Sequence, residues 1–173
     1  MFYPMSFQVD KQKLKDYFWA NYHRSIHHKT DKSEITFWRK LFDTSEVTDK
    51  ILKQLNIEDL NVSPRFSYQP PFTTLPLHID IDRIVGVNIN LMPDRASIHM
   101  RGIQFSYECA MLDVGAAPHA VYKIPTDRLV LKLAIRAPWN TVKERVSAYL
   151  PDSCLKMPYN SVLKKTEEHL VKL

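Results

Sequence analysis

Leu77-His78-Ile79-Asp80, Pro118-His119-Ala120-Val121 and Arg128 are the residues of this 173-residue chain whose types and order could do chemistry together. Two neutral imidazoles and one carboxylate are the smallest side-chain set that holds a divalent iron and leaves one octahedral face open. His78 and Asp80 are two apart, and side chains two apart on a β-strand point to the same face. The spacing therefore predicts one strand that offers both to a single ion. His119 must then come from a later strand lying beside it. Taken singly, the same residues have a plainer reading: His78 and His119 as satisfied core histidines and Arg128 as half of a structural ion pair.

The elements that must position these residues change character along the chain. Residues 1–62 read mostly as helix. Leu14, Tyr17, Phe18 and Tyr22 recur at spacings of three and four between Lys11 and Tyr22. A polar break follows. Asp31 or Ser33 then caps an expected second helix through Ile35, Phe37, Trp38, Leu41 and Phe42. Asp43-Thr44-Ser45 opens a third, with Val47, Ile51, Leu52 and Leu55 on one face. His23, His27 and His28 raise a metal question, but the reading as exposed polar residues near a helix end is preferred.

From Ser63 the prolines Pro64, Pro70, Pro71 and Pro76 disfavour helix. Short β-rich runs are expected at 65–68, 77–81, 84–91, 98–100, 104–113, 120–124 and 128–136, separated by turn signals. Residues 85–91 alternate with the odd positions apolar. Leu129, Leu131, Leu133 and Ile135 alternate too, leaving Arg128, Lys132 and Arg136 on the opposite face. After Pro138 helix returns, first to about Tyr149 and then across 161–173. The expectation is one mainly-β domain with flanking helices: helical support over 1–62, a barrel, sandwich or jelly-roll core over 63–137, and C-terminal helices over 138–173.

Composition narrows the classes further. Three glycines and no G-x-G-x-x-G or Walker pattern argue against a phosphate cradle. No apolar run is long enough to span a bilayer. The opening Met1-Phe2-Tyr3-Pro4-Met5 lacks the basic and apolar regions of a signal peptide, so a cytoplasmic protein is expected. Two cysteines, Cys109 and Cys154, are too few for a disulfide framework and read as buried thiols. The net charge of +5 is compatible with an anionic ligand or with nucleic acid. The basic residues are dispersed, however, so nucleic acid is not favoured. Oligomeric state is left open.

His78-x-Asp80, then His119, then Arg128 nine residues on, resembles the iron(II)/2-oxoglutarate-dependent oxygenases, in particular small hydroxylase-like members. The string from Leu75 to Asp80 with Asn88-Ile89-Asn90-Leu91 after it, and Met111-Leu112-Asp113-Val114 leading to His119, carry the likeness over roughly Pro64 to Arg136. The resemblance implies a double-stranded β-helix, the jelly roll also found in cupins, supported by terminal helices. It implies Fe(II) held by His78, Asp80 and His119, with 2-oxoglutarate and dioxygen at the open positions. Arg128 would anchor the distal carboxylate of 2-oxoglutarate, since guanidinium pairs with carboxylate bidentately. Tyr68 and Asn88 are further candidate contacts of the co-substrate. Arg65, Arg83 and Asn90 could meet substrate or co-substrate, although Asn88 and Asn90 read equally well as polar residues of a solvent-facing strand.

The implied reaction hydroxylates an unactivated C–H of an amino acid, peptidyl side chain or small metabolite, releasing succinate and CO2. No residue is needed as nucleophile or general base. The alternative is a non-catalytic or cupin-like metal- or ligand-binding module on the same fold. The spacing H-x-D, where cupins resemble H-x-H, counts against the cupin form, and the complete triad counts against a plain binding module.

Overall fold

The computed structural model describes residues 1–29, 37–81, 84–122 and 124–155. Its first part runs β1 (Phe2–Pro4), α1 (Lys11–Ala20), β2 (Ile26–Lys29), β3 (Phe37–Leu41) and α2 (Ser45–Gln54). Eight strands follow: β4 (Val62–Gln69), β5 (Leu75–His78), β6 (Val85–Asn90), β7 (Ala96–Met100), β8 (Ile103–Tyr107), β9 (Cys109–Leu112), β10 (His119–Val121) and β11 (Arg128–Ile135). Two short helices, α3 (Trp139–Arg145) and α4 (Asp152–Leu155), close the described chain.

The strands form two antiparallel sheets. The larger has the order β1-β9-β6-β11-β4-β3-β2 and the smaller β5-β10-β7-β8. From β4 onward the chain places β4, β6, β9 and β11 in the larger sheet and β5, β7, β8 and β10 in the smaller. That alternation is the double-stranded β-helix, and the fold is a jelly roll. At the β7–β8 hairpin Arg101 and Gly102 have φ of 54° and 78°. A two-residue turn that follows strand twist needs positive φ at both positions, which glycine supplies freely.

Strand alternation sorts the side chains into two cores. Val85, Val87 and Ile89 of β6, Cys109 and Met111 of β9, Phe66 of β4, and Leu129, Leu131, Leu133 and Ile135 of β11 face outward. They pack against Leu14 and Phe18 of α1, Val47 and Ile51 of α2, and Trp139 and Val142 of α3. Between the sheets lies a smaller core that includes Ile98, Met100, Tyr107, Ala110, Leu112, Val121 and Val130. Both faces of β11 are therefore buried, as expected of a strand in the middle of a covered sheet. The cysteines are free and buried.

α1 begins where expected, with the Asp10 carboxylate accepting the Lys13 amide hydrogen at 3.0 Å. The second expected helix, through Phe37 to Phe42, is corrected. Residues 37–41 are strand β3, pairing Leu41 with Phe66 of β4 and Lys40 with Ser67. The apolar residues there recur at helical spacing, but aromatic side chains suit a strand equally well, and the ladder to β4 decides. The described part of residues 1–62 thus holds strands β1, β2 and β3 besides the helices α1 and α2. The helix expected across 161–173 lies outside the described residues. Among the described residues, no helix is long and apolar enough to cross a membrane.

Leu131 sits where the helices meet the sheet, fully buried, with Phe66 on one side in register and Ile89 on the other. Leu131→Ala should destabilise the protein by about 2–5 kcal/mol, the usual cost of a large-to-small core change. A lowered urea midpoint at unchanged slope would show it.

Candidate metal centre and its cleft

Backbone pairing builds the site. β10 lies beside β5 with His119 directly opposite His78. Their imidazole centroids are 4.2 Å apart. Asp80 is not on the strand with His78, as the spacing suggested: β5 ends at His78. Asp80 lies in the loop beyond, tied by its amide to the Val114 carbonyl at 3.0 Å. The carboxylate reaches both rings all the same. His119 Nε2 lies 3.3 Å from Asp80 Oδ2, and His78 Nε2 lies 3.8 Å from Asp80 Oδ1. Among the described residues these three form the only group of three or more metal-ligating side chains, with ligand atoms all within 4.8 Å of one another. His23 and His27 gather no such set.

The other ring nitrogens fix the tautomers. His78 Nδ1 lies 2.7 Å from the Pro76 carbonyl oxygen, and His119 Nδ1 lies 3.1 Å from that of Ala117. A carbonyl only accepts, so each Nδ1 carries the hydrogen and each Nε2 turns toward Asp80. Burial, and then the neighbouring His119, pull the pKa of His78 below its ordinary value, which keeps that ring neutral. Burial alone would raise the Asp80 carboxyl, but the His119 hydrogen bond and the charges around it bring it below the usual carboxylate value. In the metal-free site a proton on His119 Nε2 bridges this contact; with the hydrogen on Nδ1 alone, an Nε2 lone pair and a carboxylate face each other and a cation is needed between them. Ligand atoms bonded to one divalent ion at about 2.0–2.2 Å stand about 3–4 Å apart, a range that includes both imidazole–carboxylate separations here. The backbone carbonyls on Nδ1 are the outer partners that orient metal-binding histidines. The residues present fit a divalent transition metal.

β11 supplies the rest. Arg128 and Lys132 project from its inner face into a cleft that Asp80, His119 and Asn88 also line. The cleft is narrow, with a volume of about 10 Å³, near that of one water. A groove of about 400 Å³ between α1 and α2 is larger, with Leu14, Val47 and Ile51 beneath Lys13, Glu46 and Lys50. It does not contain the metal-ligating set, so the chemistry belongs to the narrow cleft. The tension at Arg128, a cation on a strand full of leucine, is resolved because the polar face of β11 lines this cleft.

Arg128 is 3% exposed, and its Nη2 donates to the Tyr107 hydroxyl at 2.9 Å. Asn88 Nδ2 donates to the same oxygen at 3.2 Å. Both lone pairs of the hydroxyl are then taken, and its hydrogen is left to donate. Arg128 Nε is buried without a hydrogen-bond partner, and among the described residues no carboxylate pairs with the guanidinium. Arg128 and Tyr107 therefore present donors, the requirement for holding an anion.

The structure brings His78, Asp80, His119, Arg128 and Asn88 together. Tyr68 is not brought to them: it faces the helices, in register with Leu129, and its hydroxyl donates to Asp127 Oδ1 at 2.8 Å. Burial, then that hydrogen bond, push its pKa up. Asn90 is also committed elsewhere. Its Nδ2 donates to the carbonyls of Met92 and Asp94 at 3.1 and 2.5 Å, bracing the β6–β7 turn. Arg65 is buried on the inner face of β4, opposite Lys132 in register. Arg83 lies outside the described residues. Tyr107 and Lys132 had not been singled out from sequence. The alternation of β11 had already placed Lys132 on the face of Arg128, whereas no local signal marked Tyr107.

Burial, and then the nearby Arg128, bring the Lys132 pKa down to about 7, with Asp80 opposing. Between pH 7 and 10.5 the unfolded chain binds this proton and the folded chain does not, so folding stability rises with pH across that window. Lys132→Met should therefore raise the melting temperature of the metal-free protein at pH 7 by roughly 3–6 °C, for a gain of about 1–2 kcal/mol. The gain should shrink by pH 9. Parallel thermal melts at the two pH values would check both.

No protein-family model matches the chain, and no curated protein sequence does. Solved structures do. A Pseudomonas putida prolyl-4-hydroxylase superposes with a TM-score of 0.60 at 17% identity, over 79% of this chain and 92% of that one. A non-heme alpha-ketoglutarate-dependent epimerase from nogalamycin biosynthesis gives 0.58 at 7% identity, over 79% and 77%. A Trichoplax adhaerens prolyl hydroxylase, solved with a hypoxia-inducible-factor peptide fragment, gives 0.54 at 10% identity, over 86% of both chains. At these identities the likeness is one of fold: the chain has the jelly roll on which 2-oxoglutarate-dependent enzymes are built.

Proposed function

We propose that this chain is an iron(II)- and 2-oxoglutarate-dependent oxygenase that hydroxylates an amino acid, a peptidyl side chain or a small metabolite. The observation that carries the reading is that one cleft holds both a His-Asp-His set with fixed tautomers and a buried arginine whose surroundings offer donors. A metal site alone would suit many proteins on this fold. A metal site with an anion-holding wall in the same cleft suits a chelating diacid, which needs the cleft to widen beyond its one-water volume as it enters.

His78, Asp80 and His119 would hold the iron, with Nδ1 of each imidazole anchored to the backbone so that the rings cannot turn away. Arg128 would bind the distal carboxylate of 2-oxoglutarate, and Tyr107 would add its hydroxyl hydrogen to the same group. Asn88 holds Tyr107 in place from the other side. Leu75, Ile98, Val114 and Val121 line the cleft and keep water from it. Bound iron supplies the activation of dioxygen, coupled to oxidative decarboxylation of the co-substrate to succinate. The protein's share is binding, orientation and exclusion of water, and it needs no general base.

Anaerobic addition of Fe(II) and 2-oxoglutarate to the metal-free protein should produce the visible charge-transfer band of the chelate. His78→Ala should abolish the band. Arg128→Ala should keep it but raise the 2-oxoglutarate concentration for half-saturation by about 10–100-fold, the worth of a charged hydrogen-bonded pair. Tyr107→Phe should raise it by a smaller factor, about 5-fold. Iron bound without any band would sink the oxygenase reading and favour a metal-binding module on the same fold.

A further inference from the structure

We propose that Lys132 is the second anion contact of the cleft: it holds the carboxylate of 2-oxoglutarate nearest the metal, while Arg128 holds the distal one. This inference rests on the oxygenase reading and adds to it a site that grips the diacid at both ends.

Placement is the first ground. Lys132 follows Arg128 by four residues on the same face of β11, about 13 Å along an extended strand. Both side chains line the cleft that contains Asp80 and His119. Lys132 stands opposite Asn88 of β6, next to Gly86, which lines the cleft beside Val114. Val114 in turn carries the carbonyl that fixes Asp80. Lys132 is close enough to Asp80 to interact with its charge, and Arg128 is bonded to the Tyr107 hydroxyl. A ligand that runs from the metal toward Arg128 has one cation at each end.

Charge is the second ground. Around Lys132 stand Arg128, Arg65 and Lys40 with the same sign, and Asp80 with the opposite one. Asp80 is the residue a metal would claim, and among the described residues its ion-pair contacts are with the two imidazoles. Among the described residues Lys132 makes no ion pair. The fold itself gains nothing from an ammonium here. The neighbouring inward positions on β11 are Val130 and Ala134, both buried, and a methionine would pack as they do. A half-buried cation among like charges is costly unless an anion meets it. Among the described residues no carboxylate pairs with Lys132, and an entering carboxylate would supply that anion.

The test is equilibrium binding by calorimetry to protein saturated with Mn(II), so that altered metal affinity cannot imitate altered ligand affinity. Two ligands are used: 2-oxoglutarate, and 2-oxovalerate, which keeps the 2-oxoacid head but has a methyl in place of the distal carboxylate. Lys132→Met should weaken both ligands by about the same factor, 10–100-fold, and Lys132→Arg should recover most of the loss. Arg128→Ala should weaken 2-oxoglutarate alone. Unchanged affinity of Lys132→Met for both ligands, or loss of 2-oxoglutarate with 2-oxovalerate retained, overturns the inference and leaves the oxygenase reading standing. Failure of the wild-type protein to bind 2-oxoglutarate overturns both.

Discussion

The site depends on one backbone pairing, the short antiparallel contact of β10 with β5 that sets His119 opposite His78. Residues 41 apart in sequence become neighbours there. The carbonyls of Pro76 and Ala117, each two residues before its histidine, then orient the two rings alike. Asp80 completes the set from a loop, yet its position is as definite as theirs, because its amide is bonded to Val114. Three side chains that would repel or waste one another without a cation are thus fixed by main-chain hydrogen bonds. Such preorganisation limits the ordering cost that metal binding must overcome.

β11 joins this site to the body of the protein. Its outward leucines and Ile135 bind the helices to the larger sheet, and its inward Arg128 and Lys132 serve the cleft. One strand therefore carries opposite requirements on its two faces. The outward face contributes stability by burying apolar area. The inward face costs stability by burying Arg128, which no carboxylate pairs among the described residues. This division is expected where a binding site is cut into a small core. It also explains the outer helices, which cover the apolar face so that the polar one can line the cleft.

Much of this was legible in the sequence because strand alternation reports burial directly. The odd-numbered apolar positions of 85–91 and 129–135 gave both the strands and the face that packs on the helices. The grouping of His78, Asp80 and His119 could be read from residue type and order. What could not be read locally was decided by distant partners. The alternation through Leu77 to Ile81 continues past the point where β5 loses its ladder, so Asp80 looked like a strand residue. Phe37, Trp38 and Leu41 fit a helix by spacing, and only the ladders to β2 and β4 make them a strand. Tyr68 and Asn90 were plausible donors until Asp127 and the β6–β7 turn claimed them. Tyr107 was invisible, since its partners Asn88 and Arg128 lie 19 and 21 residues away in sequence. Lys132 was visible as an inward residue, but its meaning needed Asp80 and Arg128 around it.

The central claim is that His78, Asp80 and His119 form a metal centre. The most direct measurement is an anaerobic Fe(II) titration of the metal-free protein, with iron bound per chain counted after equilibrium dialysis. The wild-type chain should bind one Fe(II), and His119→Ala, which removes a ligand while Leu75 to His78 and the rest of the minor sheet remain, should lose at least about 10²-fold in affinity. Absence of tight binding by the wild-type chain, or binding undiminished in His119→Ala, would contradict it.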